Sequence, residues 1–430
     1  MSWASVYRGK IRSAVEAVAT IQSGQTIYIH NGCGLPQTMV ETLIAERERF
    51  REVRILTGLQ GGRAPYARPE FAPHFRLQAF VPNREVRDAI RDGYADYIPC
   101  TLTQIPAFFK EGLIQRPDVA IVQLSPPDER GYCSLGVSVA YTKPAMEASR
   151  RIIAEVNAQM PRTLGDSFVH VSQIDMVVES DRPLQEVASA EVDDVLLAIG
   201  RNVAQLVPDR ATVQVGVGNV SEGVWKALAD HRDLGVHSGS LSDTIVDLLE
   251  AGVVTNRYKP IDRHKVVVGQ FIATKKLFQY AHNNPAFHMA PVDYTHSLQT
   301  LSRLEGMISV NSALQVDLRG QVNSETLGGL QISGIGGSME FTMGAYMAKG
   351  ARNVIALPAT AGEGKYSRIV PRIEGNAVTL PAALADCVAT EYGLAELRGK
   401  SLRERARALI AIAAPRFREE LERAAGSLPK

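Results

Sequence analysis

Thr212-Val213-Gln214-Val215-Gly216-Val217-Gly218-Asn219-Val220, running on into the helically spaced Ser221–Ala229, is the stretch whose reading decides the fold. An apolar run that breaks at glycine and resumes with helical spacing reads as strand, tight turn and helix. Glycine lets the backbone pass close to a ligand, and the first turn of the helix offers free N–H donors. Such donors suit a phosphate or a thioester oxyanion. The same pattern also serves as a plain strand-to-helix turn.

Working outward, the theme repeats. Upstream, Gln25–His30 reads as a strand, Asn31-Gly32-Cys33-Gly34 as a turn, and Gln37–Arg47 as a helix entered at Pro36. Val53–Thr57, Asp118–Leu124, Arg151–Val156 and Ile174–Val178 read as strands. The almost unbroken apolar run of Asp118–Leu124 is the pattern of a strand buried on both faces. A helix is expected over Glu191–Leu206, with a domain boundary near 190. Downstream, strands are expected around Lys265–Val268, Gly306–Val310, Asn353–Leu357 and Ala377–Leu380, and a helical run over Ser401–Leu428. Strand and helix alternating in this way imply an α/β fold with largely parallel sheets in two domains, 1–190 and 191–430.

Bulk properties narrow the function. The 430 residues carry 47 Lys and Arg against 46 Asp and Glu, and this balance argues against broad binding to nucleic acid or an anionic membrane. Cys33, Cys100, Cys133 and Cys387 are scattered, without metal-ligand spacing, so no metal site and a reducing compartment are expected. Charged residues interrupt the first seventeen positions, and no apolar stretch reaches the ~18 residues of a membrane span. The expectation is a cytoplasmic protein.

A second glycine-rich segment, Ser333-Gly334-Ile335-Gly336-Gly337-Ser338, suits close passage of a bulky ligand. Neither a dinucleotide fingerprint, a P-loop nor a GxSxG elbow occurs. His237-Ser238-Gly239-Ser240-Leu241-Ser242-Asp243 concentrates polar side chains before an expected helix, Leu241–Glu250. There Ser240 or Ser242 would cap the helix, helped by Asp243.

Longer strings carry a resemblance. They are Ser125-Pro126-Pro127-Asp128, Gly131-Tyr132-Cys133-Ser134, Gly136-Val137-Ser138 and Asn157–Asp166 in the first half. In the second half they are Asn311–Leu318, Gly320-Gln321-Val322, Ser367-Arg368-Ile369-Val370-Pro371 and Thr390-Glu391-Tyr392-Gly393. Collinear over nearly the whole chain, they resemble the acetyl-CoA hydrolase/transferase family, in particular its 4-hydroxybutyrate and butyryl-CoA:acetate CoA-transferase members.

The resemblance implies two open α/β/α domains of the CoA-transferase type, the second carrying the CoA loops. Gly216, Val217, Gly218, Asn219 and Val220 resemble the family's CoA and oxyanion loop, and Gly334, Gly336, Gly337 and Ser338 its second CoA loop. Asn31–Leu35 and the Pro126–Val139 region would line the acyl side. The substrate is CoA as an acyl-CoA, with a carboxylate acceptor for transfer and no metal, in a homodimer or dimer of dimers. The family's nucleophile is a glutamate in a His-[Ser/Thr]-Glu stretch. Here that stretch reads His237-Ser238-Gly239, and glycine cannot form a glutamyl anhydride. The family's Gly-Gly-Gln-x-Asp-Phe is likewise replaced by Gly336-Gly337-Ser338-Met339-Glu340-Phe341. The expectation is therefore hydrolysis or acyl transfer without a glutamyl-CoA intermediate. Gly239 would leave room at the thioester carbon, and His237, Ser238 or Glu340 would assist. Alternatives are CoA transfer through a relocated carboxylate (Glu340, Glu325, Glu222 or Glu363) and a non-catalytic CoA-binding protein.

Overall fold

The computed structural model describes residues 2–60, 64–82 and 84–426. The chain divides into two compact units, Met1–Ala188 with Val267–Thr295, and Ser189–Val266 with His296–Lys430. The break at 188 lies beside the expected boundary near 190. The units are not two contiguous halves, because the segment 267–295 belongs to the first.

In the first unit, β1 (Thr26–Ile29), β2 (Val53–Thr57), β3 (Phe75–Ala79), β4 (Ala95–Tyr97), β5 (Val119–Leu124), β6 (Arg151–Asn157) and β7 (Met176–Ser180) form a parallel sheet in the order β4-β3-β2-β1-β5-β6-β7. All six residues of β5 are buried, which is why this strand reads as an unbroken apolar run. Helix α1 (Gln37–Ala45) buries Met39, Val40 and Leu43. The buried carboxylate of Glu155 on β6 accepts from Met39 N at 3.0 Å and so fixes the first turn of α1. Beyond β1, Asn31 is held on several sides. Its amide donates to Gln270 Oε1 (2.7 Å), while Tyr28 OH (2.9 Å) and Thr142 Oγ1 (2.5 Å) donate to its carbonyl. Backbone bonds from Phe271 N to Val137 O and from Met289 N to Leu164 O, both 2.8 Å, tie 267–295 into this unit.

In the second unit, β8 (Thr212–Val215), β9 (Gly235–Leu241), β10 (Ile308–Ser312), β11 (Arg352–Ala356), β12 (Cys387–Thr390) and β13 (Gly393–Glu396) lie in the order β9-β8-β10-β11-β12-β13. Every pair is parallel except β12–β13. Helix α2 (Asp194–Ala204) starts at Asp193, whose carboxylate accepts from Leu196 N at 2.8 Å. Helix α3 (Asn219–Ala227) follows β8 directly, and α2 and α3 pack closely at Gly200 and Gly223. The remaining helices that matter here are α4 (Thr244–Glu250), α5 (Ser338–Met347), α6 (Leu402–Ala411) and α7 (Arg418–Ala425).

Some local expectations fail. The segment 237–241 stays extended and paired in β9, so the helix begins at Thr244 rather than Leu241. Its N-cap is Asp243, with no side-chain capping bond, and Ser240 lies in the strand. Ala377–Leu380 forms no strand. Leu380 makes a single bridge to Val322, and the Ala377 N–H goes instead to Thr326 Oγ1 at 2.7 Å. The C-terminal helical run is split at Pro415, between α6 and α7, and its residues 427 and 428 lie outside the described residues. Among the described residues no helix is long and apolar enough to cross a membrane.

Candidate active site

The second unit contains a cavity of 720 Å³ into which both glycine-rich loops converge. Gly216 to Val220 and Ser333 to Ser338 all line it. Gly218 has φ 120° and ψ 177°, a conformation open to glycine and strained for other residues. It N-caps the nine-residue α3, so the free donors of that helix's first turn begin at the cavity. Gly336 has φ 61° just before α5, again where a side chain is disfavoured. Two glycines thus permit the two backbone bends that bring the loops to one cavity.

Side chains from neighbouring strands complete the lining. Asn311, on β10, is held by Ser309 Oγ (3.0 Å) and by Gln214 of β8, which accepts from Ser309 Oγ at 2.7 Å. Arg368 also lines the cavity. It donates to Ala313 O at 3.3 Å, and its Nε, buried, has no hydrogen-bond partner. Burial pushes its pKa below the usual arginine range, while the nearby charge of Glu391 opposes that shift. A half-buried guanidinium with an unused donor suits an anionic group such as a phosphate or carboxylate. Three carboxylates line the cavity as well: Asp193, Glu363 and Glu391. Asp193 is engaged as the α2 cap, and Glu391 accepts from Ala359 N at 2.8 Å. Glu363 is exposed, at φ 53°. The roles of Arg368 and Glu391 were not singled out from sequence, although both stand inside the strings quoted above.

The expected catalytic residues are placed otherwise. None of His237, Ser238, Gly239 and Glu340 lines this cavity. His237 and Ser238 are fully buried in β9, where Ser238 Oγ donates to Val215 O (2.9 Å) and Ser240 O (3.0 Å). Glu340 is buried in the first turn of α5. Of the other candidate carboxylates, Glu222 accepts from Thr244 Oγ1 at 2.5 Å and Glu325 from Thr379 Oγ1 at 2.8 Å, and both are buried. Glu363 alone among the candidate glutamates reaches the cavity. The space beside Gly239 is not open. A Cβ there would stand 2.7 Å from both Cε1 and Nε2 of His296, so the room expected from the missing side chain is taken by an imidazole. The His296 ring is buried and packs against Phe341 with centroids 4.7 Å apart. Burial pushes its pKa down to about 3, so the ring is neutral near pH 7.

The acetyl-CoA hydrolase/transferase N-terminal domain matches residues 1–188, and the C-terminal domain of the same family matches 273–425. The 4-hydroxybutyrate coenzyme A transferase of Clostridium kluyveri is 43% identical over 422 residues, covering 98% of each chain. The chain belongs to the acetyl-CoA hydrolase/transferase family. Among solved structures, RipA from Yersinia pestis superposes with a TM-score of 0.94 at 33% identity, covering 100% of this chain and 99% of RipA. The 4-hydroxybutyrate CoA-transferase from Porphyromonas gingivalis gives 0.85 at 34% identity, covering 98% of each. As a member of this family the protein is an enzyme, a CoA-transferase or acyl-CoA hydrolase, and CoA thioesters are the family's substrates. Its α/β architecture with largely parallel sheets is that of these CoA-transferase neighbours.

Proposed function

We propose that the protein processes short acyl-CoA thioesters by hydrolysis or acyl transfer without a glutamyl-CoA intermediate at position 239. The observation that carries this reading is Gly239 itself, which offers no carboxylate and whose side-chain direction is filled by His296. CoA would be held by the loops Gly216–Val220 and Gly334–Ser338. Arg368 would face an anionic part of the ligand, and the first-turn amides of α3 would face developing negative charge. Attack at the thioester carbon by water or another acceptor then releases CoA. The same reading puts the enzyme in the cytoplasm as a homodimer or dimer of dimers.

A second reading is favoured by one residue. Glu363 lines the cavity between two glycines, exposed, and could serve as a relocated nucleophile for CoA transfer to a carboxylate.

One experiment separates these. The protein is incubated with butyryl-CoA or 4-hydroxybutyryl-CoA, with and without acetate. Free thiol is followed, and borohydride-treated peptides are weighed. The first reading expects thiol release and unmodified glutamates. Reduction of Glu363 during acetate-dependent exchange would establish the second. Tight CoA binding with no turnover of any acyl group would leave only a CoA-binding protein.

A further inference from the structure

Three separated stretches of the second unit meet at one imidazole. A Cβ on Gly239 of β9 would stand 2.7 Å from His296 Cε1 and Nε2. A Cβ on Gly337, just before α5, would stand 2.4 Å from His296 Nε2. Real Cβ atoms do not approach so closely, so a side chain at either position requires the ring to move. The ring has little freedom to do so. It is 2% exposed and lies against Phe341, which packs in turn with Leu301, Leu304, Met307 and Ala345. The ring is therefore wedged where two glycines leave it room.

The geometry points to His296 as the residue that decides which nucleophile this site accepts: its ring fills the volume through which a side chain at 239 would leave β9, and so bars a carboxylate there. The inference rests on the proposed reaction without a glutamyl intermediate. It adds that a side chain at 239 and the ring of His296 compete for one volume. Position 239 can gain a side chain only when position 296 loses one.

The test uses Gly239→Glu alone and together with His296→Gly, in the full chain with butyryl-CoA. In the double variant the new carboxylate is expected to extend through the volume the ring vacates and to meet the bound thioester. Its oxygen bonds the acyl carbon, the C–S bond breaks, and CoA leaves as thiolate to give a mixed anhydride. The thiolate then attacks the glutamyl carbonyl, releasing butyrate and leaving a glutamyl-CoA thioester. Borohydride reduces that thioester, and peptide mass places the change at residue 239. The double variant is expected to label about ten-fold or more above the single variant. Equal labelling of the two would overturn the proposal, as would no labelling in a double variant that still binds CoA by calorimetry.

Should the double variant fail to fold, Gly239→Ala with and without His296→Gly decides. The added methyl should lower the melting temperature in the native background and much less when the ring is absent. Additive effects would overturn the proposal. A glutamyl adduct elsewhere in the unsubstituted chain would sink the functional reading and leave this one standing.

Discussion

Gly200 of α2 and Gly223 of α3 meet backbone to backbone. A Cβ on Gly200 would stand 2.1 Å from the Gly223 carbonyl oxygen, and one on Gly223 would stand 2.3 Å from the Leu196 carbonyl oxygen. Neither neighbour is a flexible side chain, so the helices would have to separate. Since α3 begins at the cavity, the strain would be felt there too. Gly223→Ala is expected to destabilise the protein by about 1–3 kcal/mol, the usual range for overpacking. A lowered urea midpoint and weaker CoA binding are the readouts, and an unchanged midpoint would contradict the close approach.

Gly218 supplies a different constraint. At φ 120° an alanine is strained by about 1–3 kcal/mol, at the residue that starts α3 and lines the cavity. Gly218→Ala should weaken CoA binding about ten-fold by calorimetry, with a smaller effect on the thermal midpoint. Binding equal to that of the unsubstituted protein would mean that this loop does not hold the ligand.

Arg368 should act by charge. A hydrogen bond to a charged group is worth about 1.5–3 kcal/mol, so Arg368→Gln should raise the Kd for CoA by about ten-fold or more. The loss should shrink as salt is added, and Arg368→Lys should recover part of it. A salt-independent loss would instead mark a packing role.

Lys259 is fully buried, its ammonium donating to Val236 O (2.8 Å) and Lys265 O (2.7 Å). Burial pushes its pKa down to about 7, with the charge of Asp262 opposing. Between pH 7 and the ordinary lysine value, the unfolded chain binds a proton that the folded chain does not. Stability therefore rises with pH across that window. Below it both states are protonated and the cost of burying the charge is present in full. Denaturant titrations of Lys259→Met and the unsubstituted protein should show the difference between them changing in favour of lysine from pH 7 to pH 10. A flat difference would show that this lysine keeps its ordinary affinity for a proton.

Much of this was readable from the residues because burial on both faces writes an unmistakable pattern. Val119–Leu124 has no polar face to confuse it, and Gly216–Val220 follows its strand without a linker. The errors fall where neighbours outvote local preference. Ser240 and Ser242 look like caps, yet pairing holds the chain extended to Leu241. Residues 377–380 have strand-forming residues, but the Ala377 N–H is taken by a threonine hydroxyl. His296 carried no signal at all. In Tyr294-Thr295-His296-Ser297 it is an ordinary residue, and its meaning arises only when the fold sets it against two glycines far away in sequence. Arg368 was visible as part of a string, but its half-buried, under-used guanidinium was not.

The return of 267–295 to the first unit bears on how the chain is made. A ribosome finishes residues 1–188 long before it reaches Gln270, the partner that holds the amide of Asn31. During that interval the nascent first unit lacks a part of itself, while β8, β9 and α2–α4 of the second have already been synthesised. Completion of the first unit is thus scheduled inside the synthesis of the second. A fragment ending at 188 would be an unfinished fold, and a faithful excision would have to splice 267–295 back on.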